Sequence, residues 1–165
     1  MRAWLALLLA VNLPVVAAEP SSAPLFSMTY SDLQSRSAKL DEFRGKPLIV
    51  NFWARWCAPC RVEIPELVDV ESTYKGRELA VIGINIESDA MPVRDFAKAY
   101  DINYPVFLTG EKGMALMQAL GNSRVGLPFT VVLNADGDIV KTKLGAMTRS
   151  DLEAAAQAAL NAKGM

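Results

Sequence analysis

The chain has 165 residues, 52% hydrophobic and 21% charged, with 17 basic side chains against 18 acidic ones and no histidine. That is the composition of one ordinary globular domain, and the near-neutral balance argues against nucleic acid or an anionic membrane surface as the main partner. The lack of histidine removes Ser-His and Cys-His catalysis, His-ligated haem, and the usual histidine-containing copper and zinc sites.

Met1 to Ala18 reads as a secretory signal. Arg2 supplies a minimal positive start, Ala3 to Leu13 an apolar stretch, and Val16-Ala17-Ala18 small residues for cleavage before Glu19. The competing reading is an uncut membrane anchor, but Asn12 and Pro14 interrupt a stretch already short for a bilayer span, so cleavage is favoured. Residues 19–24 (EPSSAP) form a polar spacer, and a single domain occupies residues 25–165. Within it, Leu25 to Tyr30 is a short edge-strand candidate, Ser31 to Lys39 is loop-like, and Leu40 to Gly45 reads as one helical turn closed by glycine.

Leu48 to Trp53 is apolar on both faces, as expected of a central strand. The helical spacing of Val62, Ile64, Leu67 and Val70 carries a helix to about Tyr74, with Pro65 expected to kink it and Gly76 ending the connection. Leu79 to Ile86 is a second buried strand, and Ser88 or Asp89 with Pro92 opens a helix to about Tyr100. Tyr104 to Leu108 is a short strand. Lys112 to Leu120 is a helix with Met114, Leu116, Met117 and Leu120 facing inwards, the methionines as core filler. Phe129 to Leu133 and Ile139 to Leu144 flank Asn134-Ala135-Asp136-Gly137, a hairpin signal. Thr148 caps a final helix to about Ala162, with Asp151 placed for a capping box.

The chemistry sits at Trp56-Cys57-Ala58-Pro59-Cys60, which holds the only two cysteines. An apolar strand leads in and a helix leads out, so Cys57 lies at or beside a helix N-terminus. Unsatisfied N–H groups and roughly half a positive charge there favour a thiolate, which makes Cys57 the attacking sulfur. Cys60, almost one turn further on, suits the resolving role. Pro59 fits the first turn, where a missing N–H costs nothing, and stiffens the loop between the sulfurs. A purely structural disulfide across three positions would close almost no loop. Zinc would need about four ligands, and the chain offers no histidine and no further cysteine. No metal is therefore expected, and no cofactor beyond the redox-active Cys57–Cys60 disulfide.

The segment GKPLIVNFWARWCAPCRVEIPEL, together with GLPFTVVLNADGDIV, resembles the TlpA/ResA-like branch of the thioredoxin superfamily, over roughly Leu25 to Leu160. The resemblance implies a thioredoxin fold: an α/β architecture with a central mixed β-sheet flanked by helices, an N-terminal β extension and short helix, and an inserted strand–helix pair. It also implies that Glu63, which spacing alone would leave as a solvated helix glutamate, is a buried acid near the cysteines. Desolvation would then raise its pKa and suit it to relay a proton. Many thioredoxins carry a buried Asp at the position of Asn51; Asn takes no proton, so Glu63 is the remaining candidate. Pro128 resembles the cis-proline that faces the cysteine pair, which makes Leu127 and Pro128 substrate-docking residues, with Gly126 allowing close approach. Trp56 is expected on the surface beside Cys57, contacting partners or shielding the disulfide, and Ala58 and Pro59 join it as substrate-binding residues. Trp53 is assigned to the core, Arg55 and Arg61 are read as solvated charges, and Glu87, at the end of a strand, is within approach of the site but is given no role in it.

The functional expectation is an extracytoplasmic, periplasmic thiol-disulfide oxidoreductase that reduces protein disulfides, with cytochrome c maturation or reduction of metal-site thiols as the roles the resemblance suggests. Its partners would be disulfide-containing proteins and a membrane thiol reductase as electron donor, and it would act as a monomer, soluble after cleavage or tethered by its N-terminal segment. Ala-Pro between the cysteines lacks the histidine whose charge stabilises the reduced form in strongly oxidising members, which favours a reductant. An oxidant or isomerase is the alternative direction. A Cu(I)-binding metallochaperone is a weaker alternative, because it leaves the Leu127-Pro128 motif without a purpose.

Overall fold

A computed structural model describes residues 20–76 and 78–162; the signal or anchor segment expected over residues 1–18 lies outside the described residues. In chain order the elements are α1 (Ala23–Ser27), β1 (Tyr30–Asp32), β2 (Ser37–Ala38), a 3-10 turn (Asp41–Phe43), β3 (Leu48–Trp53) and α2 (Ala58–Tyr74). They continue with β4 (Ala80–Asn85), α3 (Ala90–Ala99), β5 (Val106–Leu108), α4 (Lys112–Ala119), β6 (Phe129–Leu133), β7 (Ile139–Leu144) and α5 (Arg149–Asn161). The strands form one mixed sheet in the order β2-β1-β5-β4-β3-β6-β7. β3, β4 and β5 run parallel, while β6, β7, β1 and β2 pair antiparallel with their neighbours.

β3 lies inside this sheet with all its residues buried, because helices cover both faces. Strand alternation splits it between two cores. Leu48, Val50 and Phe52 pack with Leu25, Phe26, Phe43, Leu116 and Met117, from α1, the 3-10 turn and α4. Ile49 and Trp53 join Ile64, Leu67, Val93, Leu152 and Ala155, from α2, α3 and α5. The last helix opens with the expected capping box, in which the Thr148 side chain accepts from Asp151 N–H while the Asp151 carboxylate accepts from Thr148 N–H.

The N-terminal region differs from the expected edge strand over Leu25 to Tyr30. Pro24 stands in the first turn of α1, where its fixed φ favours the helix, and Leu25 and Phe26 are thereby turned into the core. The pairing begins only at Tyr30 and otherwise falls in the stretch read as a loop. The Asp32 carboxylate accepts from Gln34 N–H and Arg36 N–H, closing a tight turn between β1 and β2. Two spacer residues are tied to the domain: Ser21 N–H donates to the Ala119 carbonyl and Ser22 Oγ to that of Gly137. Met114 is a second correction, at 49% exposure. Gly113, Leu116, Met117 and Leu120 already form the i, i+3, i+4, i+7 stripe of α4, and Met114 falls outside it. α2 continues through Pro65, which lies on its exposed side.

Candidate active site

β3 ends at Trp53, and after four intervening residues the chain enters α2 at Ala58. Cys57 is the N-cap, in extended conformation, and its sulfur accepts a hydrogen bond from Cys60 N–H at 3.3 Å. Ala58 and Pro59 fill the first two helical positions, where an absent N–H leaves nothing unsatisfied. Cys57 and Cys60 are joined as a disulfide, with Cα atoms 5.3 Å apart. Both are buried, whereas Trp56 is 68% exposed and Ala58 and Pro59 are exposed as well, so the disulfide is rimmed by open, largely apolar side chains. Trp53 is fully buried, as its place on the strand required.

Glu63 lies three residues beyond Cys60 on α2, at 1% exposure. Its carboxylate is fixed from two directions: Oε2 accepts from Asn51 Nδ2 at 2.9 Å and Oε1 from Met147 N–H at 3.0 Å. Asn51 Nδ2 also donates to Thr130 Oγ1 at 3.0 Å. Burial pushes the Glu63 pKa from 4.5 up to about 7, with the hydrogen bonds from Asn51 and Met147 opposing the rise. The acid therefore changes protonation near neutral pH. Asn51 Oδ1 has no hydrogen-bond partner among the described residues. A protonated Glu63 needs an acceptor, and rotating the Asn51 amide supplies one at this oxygen.

Leu127–Pro128 is a cis peptide. Pro128 immediately precedes β6, whose Phe129 pairs with Phe52, so the bond lies at the end of the sheet where β3 delivers the cysteines. Leu127 packs against the core that contains both cysteines.

The loop before Cys57 has an anchor of its own. Glu87, just beyond β4, accepts from Arg55 N–H at 2.8 Å and from Arg55 Nε at 3.0 Å, and Arg55 Nη2 lies 2.9 Å from the same carboxylate. Asn85 Nδ2 adds a longer bond at 3.3 Å. Arg55 is thus an ion-paired brace rather than a solvated charge, while Arg61 is exposed as expected.

The sequence matches the Redoxin family over residues 18–159. The chain belongs to this family. The ResA thiol-disulfide oxidoreductase of Bacillus subtilis (strain 168) is 32% identical over 133 residues, 80% of this chain and 70% of that one. A thioredoxin-family thiol:disulfide interchange protein from Chlorobium tepidum TLS superposes with a TM-score of 0.70 at 28% identity, covering 87% of this chain and 99% of the other. StoA from Bacillus subtilis does so with a TM-score of 0.62 at 25% identity, covering 78% and 94%. The chain is therefore a thiol-disulfide oxidoreductase with the thioredoxin fold, carrying its cysteine pair at the start of α2.

Two parts of this redoxin site are not legible in the sequence. Asn51 enters it as a hydrogen-bond donor to Glu63, a contact that its inability to titrate does not announce. Met147 contributes a main-chain N–H, which no side-chain pattern encodes. Glu87, whose place at the end of a strand adjacent to β3 lets it approach the site, takes the role of holding the active-site loop through Arg55.

Proposed function

We propose that the redoxin reduces disulfides of extracytoplasmic proteins, with Cys57 attacking, Cys60 resolving and Glu63 handling the proton. In the reduced enzyme the Cys57 thiolate attacks one sulfur of the substrate disulfide, forming a mixed disulfide and expelling the other sulfur as thiolate. Cys60 then attacks Cys57 Sγ and expels the second substrate thiolate. Two electrons pass to the substrate, and the enzyme is left with the Cys57–Cys60 disulfide. Cys60 must lose a proton before it attacks, and ionised Glu63 takes it. A membrane dithiol reductase returns the two electrons.

The observation that carries this reading is the pairing of a helix-capping Cys57 with a buried Glu63 whose pKa lies near 7. Trp56, Ala58, Pro59, Leu127 and Pro128 form the docking rim, with an extended substrate segment lying along the Leu127 main chain. The export-signal pattern in residues 1–18 and the His-free Ala-Pro between the cysteines support the location and the reducing direction.

The test is single-turnover reaction of the reduced enzyme with a disulfide-bonded protein such as insulin. Cys60→Ser should accumulate the mixed disulfide on Cys57, and Cys57→Ser should neither react nor trap substrate. Trapping through Cys60 in the Cys57→Ser protein would reverse the assignment.

A further inference from the structure

The Leu127–Pro128 peptide hangs from a short, tightly tied loop after α4. Gly121 turns the chain at φ +100°, and Asn122 N–H donates back to the Met117 carbonyl at 2.9 Å. The Asn122 side chain, only 4% exposed, then grips Gly126 on both sides. Its Nδ2 donates to the Gly126 carbonyl at 2.9 Å, and its Oδ1 accepts from Gly126 N–H at 3.3 Å. Val125 N–H closes the turn on the Asn122 carbonyl at 3.1 Å.

Inside that ring of bonds Val125 adopts φ +54°. The left-handed region is costly for a β-branched residue and persists only where the surroundings over-determine it. Leu144 covers the other side of the loop: a Cβ on Gly126 would stand 2.9 Å from Leu144 Cδ1. Both main-chain groups of Gly126 are thus taken by Asn122, and the Pro128 carbonyl accepts from Gly145 N–H at 2.8 Å. Between these tied peptides, Leu127 N–H and C=O have no hydrogen-bond partner among the described residues.

We infer that Asn122 is a positioning residue for substrate docking: its carboxamide holds the strained Val125–Gly126 turn so that Leu127 presents a preformed donor and acceptor to an extended substrate segment. The inference rests on the docking role given to Leu127 above and adds what aims it. Preorganisation lowers the ordering cost of adding a strand. Asn122 acts through the loop and touches no reacting atom.

The experiment uses the Cys60→Ala protein carrying a mixed disulfide on Cys57 with a short synthetic peptide that holds one cysteine between apolar residues. Amide hydrogen exchange at Leu127 is compared with and without the peptide. Docking should slow Leu127 exchange in the parent, and adding Asn122→Ala should cut that protection by about 5- to 30-fold, the effect of losing one or two buried hydrogen bonds. Adding Val125→Gly to that protein should restore most of it, because glycine reaches φ +54° without the clamp. General loosening of the fold would not be rescued that way. Equal protection with and without Asn122 overturns the inference and leaves the docking reading intact. No protection in the parent overturns the docking reading, and this inference with it. Should Asn122→Ala fail to fold, Asn122→Asp keeps the acceptor for Gly126 N–H, loses the donor, and must still lower the protection.

Discussion

Replacing Glu63 by Gln should flatten the pH dependence of stability between about pH 4.5 and 7, the interval set by the carboxyl's ordinary and folded values. The sign follows from a folded-state pKa raised above the unfolded one. Below pH 4.5 both states hold the proton and the group costs nothing. As pH rises towards 7, the unfolded chain releases its proton while the native state retains it, so stability falls across the window and stays lower above it. A rise from 4.5 to about 7, at about 1.36 kcal/mol per unit, gives a loss of about 3 kcal/mol. For a domain of this size that moves a urea midpoint by roughly 1–2 M. The Gln carboxamide keeps an acceptor for Met147 N–H, and its NH2 group finds Asn51 Oδ1 once that amide rotates. Glu71, whose pKa burial also raises, is common to both proteins and cancels in their difference. The assay is urea unfolding of the oxidised proteins at pH 5 and pH 8, followed by tryptophan fluorescence. Wild-type and Glu63→Gln midpoints that fall in parallel between these pH values would refute the reasoning, since the acid would then titrate in the native state as it does in water.

Two further outcomes follow from local geometry. Glu87→Ala removes the acceptor of Arg55 N–H and strands the Arg55 side chain, so it should cost about 1–3 kcal/mol in denaturant unfolding and slow reaction at Cys57; unchanged unfolding and unchanged Cys57 alkylation would remove the brace from the account. Gly83→Ala places a methyl group 2.9 Å from Trp53 Nε1 and 3.1 Å from Tyr104 Cε2, inside the core around Asn51, and should destabilise by about 1–3 kcal/mol. A neutral result in calorimetry would mean that these two rings move aside freely.

What was legible in the sequence, and what was not, follows physical lines. β3 and β4 were readable because strands covered on both faces are continuous apolar runs, and α5 because Thr148 and Asp151 announce its first turn. The cysteine pair was readable because strand, turn and helix around it are all local patterns. The N-terminal pairing was not, because β1 and β2 are three and two residues long and are held by the Asp32 side chain rather than by alternation. Glu63 shows the boundary within one residue. Helical spacing placed it on α2, but its burial depends on Asn51 and Met147, separated from it by 12 and 84 positions. Asn122 went unnoticed for the same reason: its partner is the backbone of Gly126, and only a fold that buries the loop makes that contact matter.

The most direct test of the proposed reducing role is the reduction potential of the Cys57–Cys60 pair, measured by equilibration in defined thiol/disulfide buffers with Trp56 fluorescence as the reporter. A reductant recharged by a membrane dithiol should equilibrate near about −270 mV, as thioredoxin does. A value nearer about −120 mV, that of a strong oxidant, would contradict the direction of electron flow proposed here while leaving the disulfide chemistry of the pair in place.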